Sequence, residues 1–165
     1  MLAKTLSRIV YEIKCRYSRG CIADHSQEPL YEDGKGRVIN FTDVPIAKSL
    51  REILPQYIGA KAKNLNAEGN YYYDTSKCSI LGHGDVERRR VIAVRLGESF
   101  PLTYQWFHKC KPISGRCELI LNHGDIYVMS EKAVGSDWLK SSLYTLRHSA
   151  GSEKITTWKP KPVKK

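Results

Sequence analysis

The sequence predicts a mainly β fold, a jelly roll of short antiparallel strands with N-terminal helices packed on one face. Three observations predict it. From residue 71 onward, short apolar or alternating runs recur at near-regular spacing, punctuated by Gly, Pro, Asn, Asp and Ser. No helical periodicity interrupts those runs, which favours an antiparallel sandwich or jelly roll over a parallel sheet. Ahead of them lie two stretches of helical spacing, and two helices leading into such a sheet would cover one face of it.

Taken in order, Leu2, Leu6, Ile9, Val10 and Ile13 recur at helical spacing, with Lys4, Arg8 and Lys14 on the wet side. Residues 17–36 lack periodicity and read as loop, with a short strand at 37–41. Thr42-Asp43 reads as a helix start with Pro45 in the first turn. Ile46, Leu50, Ile53, Leu54 and Ile58 would be its buried stripe, Pro55 would kink or shorten its last turn, and Gly59 would stop it. Residues 61–69 form a polar connection. Strands are then predicted at 71–73, 79–82, 91–96, 102–107, 117–121, 126–129, 144–148 and 154–158. The tail, 159–165, is basic and Pro-rich and should be extended and mobile.

The 165 residues fit a single domain over 1–158, with the β portion from about 64 to 158 and the tail beyond it. The formal net charge is +10, from 27 Lys+Arg against 17 Asp+Glu, which favours an anionic partner such as DNA or RNA. Five cysteines, an odd number without C-x-x-C spacing, indicate neither a disulfide framework nor a zinc ribbon. No apolar run approaches a membrane span, and charges interrupt the N-terminus where a signal peptide would be apolar. The reading is an intracellular protein, cytoplasmic or nuclear, with no membrane partner.

The chemistry concentrates in His83-Gly84-Asp85. On an extended segment, residues two apart project to the same side. Gly84 between them allows a close backbone approach. A distant histidine, His148, completes a two-His-one-carboxylate set, the pattern that holds Fe(II) with open positions for oxygen chemistry. His-Gly-Asp recurs at 123–125 between two apolar strand patterns, where Asn122 to Asp125 reads as a hairpin turn and not a ligand pair.

The context of the motif resembles the AlkB-like branch of the Fe(II)/2-oxoglutarate dioxygenases. The family shows a Tyr-bearing strand, H-x-D-x-E-R, a V-x-L-G strand, an L-x-H-G-D turn and a distal His. Here these are Tyr71-Tyr72-Tyr73-Asp74, His83-Gly-Asp85-Val-Glu87-Arg88, Val94-Arg-Leu-Gly97, Leu121-Asn-His-Gly-Asp125 and Arg147-His148, over roughly residues 64 to 158. The resemblance implies a double-stranded β-helix, with Fe(II) held by His83, Asp85 and His148 and 2-oxoglutarate and O2 as cosubstrates. It implies cosubstrate contacts from Tyr73 and Tyr71. The far carboxylate of 2-oxoglutarate needs a cation after the distal His. The family's R-x-N-L-T-x-R pattern is absent there, and Lys154, then Lys159, are the candidates. Glu87 and Arg88 would contact the substrate, and Trp138 could stack on a base.

The expected function is oxidative demethylation or hydroxylation of a nucleobase, as in DNA repair or nucleic-acid modification. Two alternatives stay open. One is a protein or peptide hydroxylase on the same barrel; the other is a metal-free jelly-roll module that only binds nucleic acid.

Overall fold

The computed structural model describes residues 18–152 and 156–157. The helix expected over residues 2–13, both candidate lysines Lys154 and Lys159, and the tail lie outside the described residues. The chain divides into two compact units, Met1–Tyr71 and Tyr72–Lys165. β-Strands dominate the described residues. No described helix is long and apolar enough to cross a membrane. Cys21, Cys78, Cys110 and Cys117 are free thiols.

The first unit holds a three-stranded sheet in the order β2-β1-β3, from β1 (Ser18–Ala23), β2 (Val38–Asn40) and β3 (Ala67–Tyr71). β1 corrects the expectation of a loop over 17–36. Its Cys21-Ile22-Ala23 run pairs in parallel with Val38-Ile39-Asn40, and Gly20 lies opposite Gly69 of antiparallel β3. Cross-strand pairing overrides a weak local signal there.

Helix α1 spans Pro45–Ile58, with Pro at the start, where a missing N–H costs nothing. A 3-10 turn, Phe41–Asp43, precedes it, and the Asn40 side chain accepts from the Thr42 N–H, so Asn40 caps the turn in place of Thr42-Asp43. The helix passes through Pro55 and ends within one turn, where the Gly59 N–H donates to the Pro55 carbonyl. The predicted buried stripe is corrected: Leu50 and Leu54 are half-buried, whereas Ile46, Ile53 and Ile58 are exposed. Arg51 anchors the helix instead. Its guanidinium grips Asp24 through two bonds of 2.5 and 2.7 Å and sits 4.3 Å over the ring of buried Phe41.

The second unit carries two antiparallel ladders. The larger runs β4 (Ile80–His83), β10 (Thr145–Ala150), β6 (Phe100–His108) and β7 (Lys111–Pro112), with β8 (Cys117–Leu121) also on β6. The other pairs β5 (Val91–Val94) with β9 (Ile126–Met129). A single helical turn, α2 (Glu131–Val134), follows β9; Ser130 caps it and Gly135 ends it at φ 73°.

β8 and β9 match the sequence reading, but 71–73 does not form a strand, because β3 ends at Tyr71. Nor do Thr156 and Thr157 extend a strand: the Thr156 N–H bonds four residues back to Ser152. Phe100, Leu102, Phe107, Leu121, Met129 and Val134 form the buried apolar core of this unit.

Candidate metal centre

His83 ends β4 and lies directly opposite His148 of β10. Directly opposed residues on antiparallel strands share a face, so both imidazoles project to one side of the sheet. Their ring centroids are 4.5 Å apart. Asp85 follows two residues after His83, where its N–H donates to the Val134 carbonyl at 3.0 Å. Its carboxylate then reaches His83 Nε2 at 3.5 Å and His148 Nε2 at 4.0 Å. One donor atom from each of the three lies within 4.8 Å of the others, so His83, Asp85 and His148 form a group that could hold a metal ion.

Each imidazole is oriented from behind. His83 Nδ1–H donates to the Leu81 carbonyl at 2.8 Å and His148 Nδ1–H donates to the Ala133 carbonyl at 3.3 Å. These bonds hold each Nδ1 away from the group and turn each Nε2 toward Asp85, the outer-shell arrangement metal-ligating histidines use.

Gly84 explains how the loop fits. A Cβ there would lie 2.1 Å from the Gly135 carbonyl oxygen and 2.9 Å from Trp138 Cβ. The residue between the two ligands is therefore in contact with the turn that ends α2. The close approach expected from the sequence is thus made to protein backbone.

Electrostatics favour the ligating forms. The hydrogen bond to His83 is the main cause that holds the Asp85 carboxyl below the usual range, against its partial burial, with Arg88 adding a favourable charge 3.4 Å away. Burial, then the neighbouring His83, pushes His148 down to about 4, against the pull of Asp85. His148 is accordingly a neutral donor at physiological pH.

A stability consequence follows with a definite sign. Between pH 6.5 and about 4 the unfolded chain binds a proton at this histidine that the folded chain does not. Stability should therefore fall as pH falls through that window, by about 3 kcal/mol for the metal-free protein. Urea denaturation across this range checks it, with His148→Gln expected to flatten the dependence. An unchanged slope in the variant would contradict it.

The other sequence candidates divide. His123 and Asp125 stand in a tight turn away from the ligand group. His123 Nδ1 accepts from the Gly97 N–H at 3.0 Å, and the Asp125 carboxylate accepts from the Asn122 N–H at 2.7 Å. The turn is not a hairpin, since β8 pairs with β6 whereas β9 pairs with β5; it carries the chain from one ladder to the other. Glu87 is exposed just beyond Asp85, while Arg88 folds back onto the Asp85 carboxylate. Trp138 is not on an open loop. It is half-buried, its backbone N–H donates to the Gly135 carbonyl at 2.9 Å, and the Arg147 guanidinium lies 5.2 Å from its ring, so it packs as an anchor beneath the Gly84 contact.

Of the tyrosine triplet, Tyr71 and Tyr73 are exposed. Tyr72 between them turns inward, with its ring 4.5 Å from Phe100. The second unit's inward tyrosine is thus Tyr72, not Tyr73.

Tyr104 was not singled out by the sequence. It lies opposite His148 on β6, with ring centroids 6.3 Å apart. Burial and the neighbouring Tyr127 push its hydroxyl up to about 12, so it stays a neutral phenol. Only the strand register, and no local motif, could have found it.

Among curated proteins the chain is similar to Uncharacterized protein R156 of Acanthamoeba polyphaga mimivirus. The two are 48% identical over 142 residues, which is 86% of this chain and 55% of that protein. The chain therefore spans about half the length of the curated relative it matches. No protein-family model matches the chain, and no solved structure matches it.

Proposed function

We propose that the protein is an Fe(II)- and 2-oxoglutarate-dependent dioxygenase that oxidises a nucleobase. One observation carries this reading. Two imidazoles and one carboxylate converge from separate places in the chain, each imidazole aimed by a backbone carbonyl. A purely structural His pair has no need of that aim. Two nitrogens and one oxygen on one side are the donor set of a facial triad, which leaves sites open for other ligands.

The ladders support it further. A β4-β10-β6-β8 sheet and a separate β5-β9 pair, joined by the 122–125 turn, are antiparallel ladders of the kind from which a jelly roll is built. When bound, the iron would supply oxygen activation coupled to conversion of 2-oxoglutarate to succinate and CO2, with oxygen transferred to a substrate C–H.

The residues of the chain then have distinct tasks. His148 stays unprotonated because it is buried, and Asp85 brings the negative charge. Arg88 bridges to Asp85 and fixes its second oxygen. Tyr104, a neutral phenol beside His148, can donate a hydrogen bond but not compete as an anionic ligand. Exposed Arg89 and Arg90 follow at the rim, where a phosphate backbone would be met, in a chain of net charge +10.

The test is succinate formation from 2-oxoglutarate by the Fe(II)-loaded protein, with and without base-methylated single-stranded oligonucleotides. Succinate should rise with oligonucleotide and a modified base should be lost or hydroxylated. Stimulation by peptides and not by oligonucleotides would move the substrate assignment to protein.

A further inference from the structure

Helix α2 is a single turn, and two of its consecutive carbonyls serve the ligand group. The Ala133 carbonyl accepts from His148 Nδ1 at 3.3 Å, and the Val134 carbonyl accepts from the Asp85 N–H at 3.0 Å. Neighbouring peptide groups therefore seat two of the three candidate ligands, although those ligands come from distant parts of the chain. A shift of this turn would move both at once. His83 is aimed separately, by the Leu81 carbonyl of its own strand.

A turn of four residues does not fix its own position. Nucleating a helix costs more than one turn of hydrogen bonds returns, so a helix this short stays where its surroundings hold it. Its ends are closed locally. The Ser130 side chain accepts from the Ala133 N–H at 3.3 Å, and the Gly135 N–H donates to the Glu131 carbonyl at 3.1 Å. These bonds shape the turn without tying it to the sheet. The close approaches at Gly84 and Gly135 stop the turn from moving nearer to the loop and to β10, but nothing in them stops it from receding.

Lys132 supplies that attraction. Its Nζ leaves the turn and donates to the Tyr144 carbonyl at 2.5 Å and to the Asp137 carboxylate at 2.7 Å. The ammonium also lies 5.7 Å from the centre of the Trp106 ring. Tyr144 immediately precedes β10, the strand that carries His148, and Trp106 of β6 pairs with Leu146 of β10. One ammonium thus joins α2, the connection after it and the strand pair that bears the distal histidine. Charge-assisted bonds of this length are the strong kind. Asp137 has reason to keep its partner: its other oxygen, Oδ1, is buried with no hydrogen bond among the described residues.

We infer that Lys132 is a positioning residue for the metal centre: by clasping α2 to β10 and to Asp137 it fixes the two carbonyls that aim His148 and seat Asp85. This deepens the proposed function and rests on its metal-binding group.

The experiment measures Mn(II) binding to the full chain by titration calorimetry, and amide hydrogen exchange of the metal-free protein. Lys132→Met keeps the aliphatic stem and removes the charge. It should weaken Mn(II) binding about 10-fold, the lower end of what loss of support behind a ligand costs. The Asp85 amide should exchange faster, because its acceptor is the Val134 carbonyl, while the amides that pair β6 with β10 keep their wild-type rates. Lys132→Arg retains a cation with donors and should restore most of both. Asp137→Asn should weaken binding in the same direction and should add nothing when combined with Lys132→Met.

Leu121→Ala is the reference for destabilisation alone. It truncates a buried core residue, so it should lower the urea midpoint and leave the Mn(II) affinity of the folded protein unchanged. Wild-type affinity in Lys132→Met overturns the inference, and so does a loss that Lys132→Arg fails to restore. A loss that Leu121→Ala reproduces would make the effect one of general stability and overturns it too. In each of these cases Mn(II) uptake by the wild type leaves the proposed function standing. A wild type that takes up no Mn(II) removes the proposed function and this inference with it.

Discussion

Replacing Asp85 by alanine is expected to abolish succinate production and to weaken metal binding beyond the roughly 10- to 100-fold that losing an outer-shell partner costs. Asp85 is the one anionic donor of the group, and its carboxylate reaches His83 Nε2 and His148 Nε2 at 3.5 and 4.0 Å. Two neutral imidazoles remaining beside Arg88 would form a site that repels a cation. The fold should survive, because the bond that seats the loop is made by the Asp85 backbone N–H to Val134, which alanine retains. The Arg88 contact that is lost is long and partly exposed, and such pairs contribute about 1 kcal/mol or less. Calorimetric Mn(II) titration paired with thermal unfolding separates the two effects. Asp85→Asn, equal in volume, isolates the charge. Wild-type metal affinity in both variants would sink the ligand assignment.

Gly84→Ala should be the most destabilising of the conservative substitutions. Its Cβ would fall 2.1 Å from the Gly135 oxygen and 2.8 Å from the Gly135 carbon. These are backbone atoms in a turn already fixed, since the same carbonyl accepts from Trp138 and the Gly135 N–H donates to Glu131. A Cβ added at Gly135 in turn would strike the Leu146 carbonyl at 2.5 Å, so the turn has little room to retreat. The cost should reach about 3 kcal/mol, the upper end for overpacking, and the ligands on either side should lose register. Gly82→Ala is the matched control. It meets nothing within 4 Å and should change stability by no more than about 0.5 kcal/mol. Urea midpoints compare the pair. A Gly84→Ala protein as stable as the control would mean that the loop and the turn are not packed as described.

The ligand group was legible in the sequence for a simple reason. His83 and Asp85 obey the two-residue period of an extended segment, and that period needs no knowledge of partners. The tyrosine triplet was read from the family resemblance and not from this rule; β3 stops at Tyr71, and of the three it is the middle residue, Tyr72, whose ring meets Phe100. Tyr104 escaped notice because its meaning lies in register: it matters through the strand it faces. β1 was hidden because Ser-Arg-Gly-Cys-Ile-Ala has little strand character until it lies between β2 and β3. The apolar stripe of α1 was correctly periodic, yet periodicity says where a helix is apolar and not what covers it.

The pairing of His83 with His148 bears on how the centre comes into being. β6 and β8 meet across a short connection, whereas β4 meets β10 only after nearly the whole second unit has been laid down between them. Closing a long loop is entropically slow and comes after local pairings are in place. The three residues that could hold a metal ion are therefore brought together by the same event that completes the sheet. A nascent or half-folded chain presents isolated histidines, so an ion taken up there would be taken up at the end of folding, when the surrounding walls already exist.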